Sequence, residues 1–163
     1  MDKARTLRNV ANVVNLSTPL GLLLGAAGRG RPRRVGHLMV FEHVRLPVLR
    51  ASAMTVGDVV LVPSRSVEQA SRLIPDLMAH EDEHAWQYAY CLGLPFLPLY
   101  GLATAWSMLR TGDRASANHF EVQANLLKGG YRIAAKRPVR EGWAALRPAW
   151  LASSRGRLRG RWS

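Results

Sequence analysis

The chain has 163 residues, 48% of them apolar, and carries 23 Lys and Arg against 11 Asp and Glu, a net charge of +12. That length allows one domain with its own core, and that composition excludes a disordered or collagen-like chain. The single cysteine, Cys91, excludes an internal disulfide and, inside an apolar run, reads as an inert buried thiol.

Residues 2–16 read as a helix ending before Pro19. The uncharged stretch 10–28 follows Lys3, Arg5 and Arg8 in the manner of an export signal, but Asn12, Asn15, Ser17, Thr18 and Pro19 interrupt it and argue against one. The glycine- and arginine-rich stretch that follows, to Arg34, reads as a loop or connector. Three short β-branched runs come next, 37–44, 51–56 and 58–62, the last two joined by a tight turn at Gly57-Asp58. They predict a small antiparallel sheet closed by Pro63.

Residues 66–92 read as helical. Ser66 with Gln69 three positions on spells a capping box, Pro75 opens a fresh helix with itself in the first turn, and Gly93 ends it. Residues 89–109 carry no charge and are long enough to span a bilayer. Gly93, Pro95, Pro98 and Gly101 break the run near its start, which favours a buried helix over 98–110 after a Pro-containing turn. A third helix is expected over 114–128, stopped by Gly129-Gly130, and a short last one over 141–151. The layout is α+β: a small antiparallel sheet, then an active-site helix and two to three further helices. It divides into an N-terminal helix and connector (1–35), a main domain (36–152) and a basic tail (153–163).

The chemistry concentrates at "HEDEH", residues 80–84. On a helix, His80 and His84 lie one turn apart on one face and aim two imidazoles at one ion. Glu81 projects from nearby without alignment, the position of a general base that is not a ligand. This is the HExxH arrangement of zinc hydrolases, in which the metal lowers the pKa of water and the carboxylate takes its proton. A catalytic zinc needs a third protein ligand. Asp113, His119 and Glu121 compete for that place. Glu121 is preferred: it stands among small and amide residues, Asn118, Gln123 and Asn125, where a carboxylate is costly to bury unless paired or metal-bound. His119 reads as a surface histidine and Asp113 as a turn or cap residue. Gln87 and Tyr88 continue the His84 face, Gln87 as a partner for a backbone or ligand group. Tyr88 reads either as packing or as a polariser of a substrate oxyanion, and Tyr100 and Tyr131 compete for that second role.

"HEDEHAWQYAYCLGLPFLPLYG" followed by "NHFEVQAN" resembles the HExxH metallopeptidases of the zincin, gluzincin-type family. More narrowly, it is similar to small uncharacterised bacterial proteins with HExxHxxQ and a downstream N-x-F-E-x-x-A segment; the resemblance covers most of residues 9–131. It implies a zinc site made by His80, His84 and Glu121, with Glu81 as base and a peptide or protein as substrate. Two departures mark this chain. The 89–109 segment lengthens the gap between His84 and Glu121, and Asn125 stands where an acid often follows the third ligand.

The arginine runs at 29–34 and 155–161 suit anionic lipid or nucleic acid. No zinc-finger spacing or aromatic-interleaved basic module is present, so sequence-specific nucleic-acid binding is not expected. Two readings stand: a zinc-dependent hydrolase in the cytoplasm, or a non-enzymatic protein that touches a membrane or partner and keeps the metal as a fastener.

Overall fold

A computed structural model describes residues 2–47 and 51–146. In chain order they form α1 (Lys3–Val14), α2 (Ser17–Ala27), β1 (Arg31–Val35), β2 (Leu38–Val44), β3 (Met54–Val56), β4 (Val59–Pro63), α3 (Val67–Leu73), α4 (Leu77–Tyr90), α5 (Phe96–Thr111), α6 (His119–Gln123) and α7 (Val139–Leu146). The fold is α+β, as expected.

The sheet has the order β1-β2-β4-β3. Its two hairpins, β1–β2 and β3–β4, are antiparallel, but β2 and β4 run parallel, so the sheet is mixed rather than antiparallel. The reason lies in β4. Val59, Val60, Leu61 and Val62 are all buried. A continuous apolar run of this kind needs cover on both faces, hence a central place. The three-residue β3 takes the edge beyond it.

One face of the sheet packs Leu38, Val40, Val60 and Val62 against Val67, Leu77 and Ala85 of α3 and α4. The other packs Phe41, Val59 and Leu61 against Leu24 of α2. A third cluster, Val56, Tyr88, Phe96 and Phe120, fills the space between β3, α4, α5 and α6.

The stretch expected as a connector is α2 and β1. In α2, Gly21 and Gly25 lie flat on the sheet: an added Cβ would meet Val56 O at 2.4 Å and the Phe41 ring at 2.4 Å. These glycines allow close helix–sheet approach, a role that outweighs their low helix propensity. β1 is an exposed edge strand of arginines and one proline, which suits an edge and blunts it against further pairing.

Ser66 forms the expected capping box with Gln69. Pro75 falls in the turn between α3 and α4, and α4 begins at Leu77, two residues later than expected. The α5 helix begins at Phe96 and buries only Phe96, Ser107 and Leu109, so it is not the buried helix the sequence predicted. The expected 114–128 helix shrinks to α6. Asp113 Oδ1 accepts from the backbone N–H of Ala115 and Ser116 and from the Ser116 hydroxyl, and turns the chain. Asn118 is extended and caps a new start by accepting from Phe120 N at 3.0 Å. Asn125, at φ +69, closes it. The expected end of the last helix at Leu151, and the basic tail 153–163, lie outside the described residues.

Candidate metal centre

Helix α4 presents His80 and His84 one turn apart, both buried, with Nε2 atoms 3.1 Å from each other. Glu121 of α6 faces them. Its Oε2 lies 3.2 Å from His80 Nε2 and its Oε1 3.6 Å from His84 Nε2. Donors bound about 2.0–2.1 Å from a tetrahedral ion are spaced about 3.3–3.4 Å apart, and these separations lie near that value, with Glu121 turning a different oxygen to each histidine. His80, His84 and Glu121 form a buried group that could hold a metal ion.

The surrounding hydrogen bonds fix which ring nitrogens are free. His80 Nδ1 faces the carbonyl oxygens of Ala124 at 3.0 Å and Asn125 at 3.2 Å, so it carries the proton and donates. Gln87 donates through Nε2 to Phe120 O at 2.9 Å, which orients its Oε1 toward His84 Nδ1 at 2.8 Å; that nitrogen is therefore also N–H. Both Nε2 atoms of the neutral rings then carry lone pairs. Two lone pairs and a carboxylate converge at contact distance, an arrangement that repels itself unless a cation sits among them. Glu121 Oε2 is buried and has no hydrogen-bond partner. Tyr100 OH donates to the other oxygen, Oε1.

The electrostatics agree. Burial pulls the His80 imidazole down, but the hydrogen bond its protonated form makes to Glu121 and the negative charge of Glu81 outweigh burial and leave it raised. Burial likewise raises the Glu121 carboxyl, and His80 and His84 reverse this and hold it below the usual range. The cluster favours positive charge at its centre, from a proton or a metal.

Local structure explains the placement. Ala124 is the C-cap of α6, where carbonyls have no partner within the helix. His80 uses that free carbonyl and the next one, so the short helix both supplies Glu121 and anchors the first histidine. Gly129 lies against the same ring: an added Cβ would come within 2.7 Å of His80 Cε1 and 2.8 Å of Nε2.

Glu81 is buried and outside the converging group. Its Oε2 accepts a 2.6 Å hydrogen bond from the Thr55 hydroxyl on β3. Tyr88 is a packing residue: its ring lies 4.4 Å from that of Phe96, in the apolar cluster. The Tyr131 ring is 5.8 Å from that of His80. Burial, then the charges of Glu121 and Glu81, push both Tyr100 and Tyr131 far above the ordinary phenol range, so both remain proton donors. Asn125 contributes its backbone carbonyl; its side chain accepts from Leu127 N instead. His119 is exposed and Asp113 caps a turn, so neither approaches the histidines. Cys91 is half-buried and burial raises its thiol pKa, consistent with an inert residue.

Sequence reasoning missed Thr55 and Gly129. Nothing in "ASAMTV" marks one threonine as a partner for a distant glutamate, and Gly129 reads as a helix stop. The chain matches no protein-family model, no curated protein and no solved structure.

Proposed function

We propose that the protein is a zinc-dependent hydrolase acting on peptide bonds, with Glu81 as general base. One observation carries this reading: hydrogen bonds to Nδ1 leave two imidazole Nε2 lone pairs and an unpartnered carboxylate oxygen converging from two helices. Two nitrogens and one carboxylate are a donor set that zinc takes in hydrolytic sites. A zinc ion held by His80, His84 and Glu121 supplies a Lewis acid that brings the pKa of water toward neutrality and polarises a carbonyl.

The chain's own groups supply the rest. Thr55 occupies one oxygen of Glu81 and leaves the other to accept a proton. Gln87 and the Ala124 carbonyl hold both imidazoles in the ligating tautomer. Tyr100 is committed to Glu121, which leaves Tyr131 as the phenol that donates to a developing oxyanion.

Burial favours a second reading, a metal fastener without turnover. His80 is 1% exposed, Glu121 2% and His84 7%, whereas a catalytic ion needs one accessible position. The Glu81→Gln variant separates the two. Zinc content is measured on the purified protein, and hydrolysis on a mixed peptide library. The hydrolase reading expects about one zinc per chain in both proteins and a fall in turnover of about 10²–10⁴ in the variant. Bound zinc with no turnover in the parent leaves the fastener. A parent that takes up no zinc from a zinc-replete medium refutes both.

A further inference from the structure

Helix α1 is built inside out. Arg8 and Asn12, at 1% and 0% exposure, point into the protein, while Leu7 and Val14, at 70% and 75%, point outward. The inward face is held by polar contacts. Arg8 reaches Asp82 Oδ1 at 2.5 Å and Asp58 Oδ1 at 3.1 Å, and Asn12 Nδ2 donates to Asp58 Oδ1 and Ala85 O. The outward stripe Leu7, Val10, Val14 has spacing three and four, and it needs an apolar medium that the described residues do not provide.

Two other elements also expose apolar side chains. On α2, Leu22 and Leu23 are exposed; on α5, Leu97, Leu102 and Trp106 are exposed. The elements meet at two corners. An added Cβ on Gly93 would lie 2.5 Å from Asn15 Cγ, so the α1–α2 corner touches the α4–α5 corner. Beside that contact Leu16 and Leu92 are both exposed, and both have left-handed backbones, φ 68 and φ 61. Leucine is disfavoured in that conformation, and here both side chains are left exposed.

The charge pattern identifies what covers it. Between Asp2 and Asp58 the only acidic residue is Glu42, which is tied to Val67 N and Arg33, and residues 91–109 carry no charge at all. At the rim, Lys3 precedes Leu7 by one turn, Arg34 borders a shallow groove with Val10, Val13 and Val14, and Arg29 follows α2. The face is apolar in the middle and basic at its edges, and the exposed Asp2 beside Lys3 is paired with Arg5 at 3.4 Å. A second copy would set one basic rim against another, in a chain of net charge +12. A bilayer with anionic headgroups complements both parts. Together α1 and α2 are apolar enough for a membrane segment, but they are bent by 73°, and among the described residues no single helix is long and apolar enough to cross one. A bent apolar pair of this kind lies along an interface.

We infer that the outward faces of α1, α2 and α5 form one docking surface for the interface of an anionic lipid bilayer.

The test is co-sedimentation of the full chain with vesicles, either pure phosphatidylcholine or phosphatidylcholine mixed with phosphatidylglycerol. Binding to the mixed vesicles is expected, weakened but not abolished at high salt. Leu7→Glu with Val14→Glu, and separately Leu102→Glu, should each weaken it by about tenfold or more, while the circular dichroism spectrum and melting transition stay close to the parent's, which shows the fold intact. The basic tail is tested by changing Arg155, Arg157, Arg159 and Arg161 to glutamine. Binding lost in that variant but kept in the glutamate variants overturns the assignment. So does a parent that ignores both vesicles, or one that elutes as a dimer which the glutamate substitutions split.

Discussion

Replacing Gln87 with leucine tests whether the histidines are held as ligands or merely packed. The change removes two short hydrogen bonds, Gln87 Oε1 from His84 Nδ1–H at 2.8 Å and Gln87 Nε2 to Phe120 O at 2.9 Å, and a longer one from Nε2 to Gln123 Oε1 at 3.4 Å. Each partner left unsatisfied in the interior costs about 1–3 kcal/mol. The added apolar side chain recovers part of this, for a net loss of roughly 2–4 kcal/mol, or about 5–15 °C in melting temperature for a domain of this size. The effect on zinc is separate. Without an acceptor at Nδ1, the His84 tautomer with its proton on Nε2 competes with the ligating one. Losing such a partner typically weakens a metal site by about 10–100-fold. Competition titration against a chelator of known affinity reads this directly, and melts of the zinc-free protein read the stability cost. Gln87→Glu splits the two effects: a carboxylate still accepts from Nδ1, so affinity is retained, but it cannot donate to Phe120 O, so stability falls. If Gln87→Leu binds zinc within about twofold of the parent, the tautomer argument is wrong.

Two further outcomes are expected. Gly129→Ala places a methyl within 2.7 Å of His80 Cε1 and so costs the protein its zinc, whereas Gly101→Ala, with nothing within 4 Å, leaves zinc content unchanged; metal analysis of both checks this. Burial raises the Asp113 carboxyl, but hydrogen bonds from Ser116 and Ala115 outweigh it and hold the carboxyl below the usual range. Its contribution is therefore present above about pH 4 and is lost as pH falls through the depressed value. Asp113→Ala should cost about 1 kcal/mol at neutral pH, and denaturant midpoints of parent and variant should converge in acid.

The site was more legible than the fold around it. Two histidines one turn apart specify their own geometry, and Glu121 was visible as a carboxylate without neighbouring surface charge. The α2 helix was not, because two glycines and a proline argue for a loop when read locally. Only contact with Val56 and Phe41 shows that those glycines are a packing face. The parallel pairing of β2 with β4 was hidden for a similar reason, since strand order follows from which run needs cover on both faces. The α6 boundaries depend on Asn118 and Asn125, whose cap and left-handed turn override a pattern that reads as one long helix. Inside-out α1 shows the limit of periodicity: an amphipathic pattern says that a helix has two faces, not which of them points inward.

The joining of α4 to α6 has a consequence for folding. An ion held by His80, His84 and Glu121 is a cross-link that closes a loop over residues 85–120, with all of α5 inside it. Loop closure becomes more demanding only slowly with length, by about 0.6 kcal/mol per doubling. The long segment between the second histidine and the glutamate is therefore a small entropic burden. One coordination event there would restrict a large part of the chain, so a bound ion would steady α5 without touching most of it.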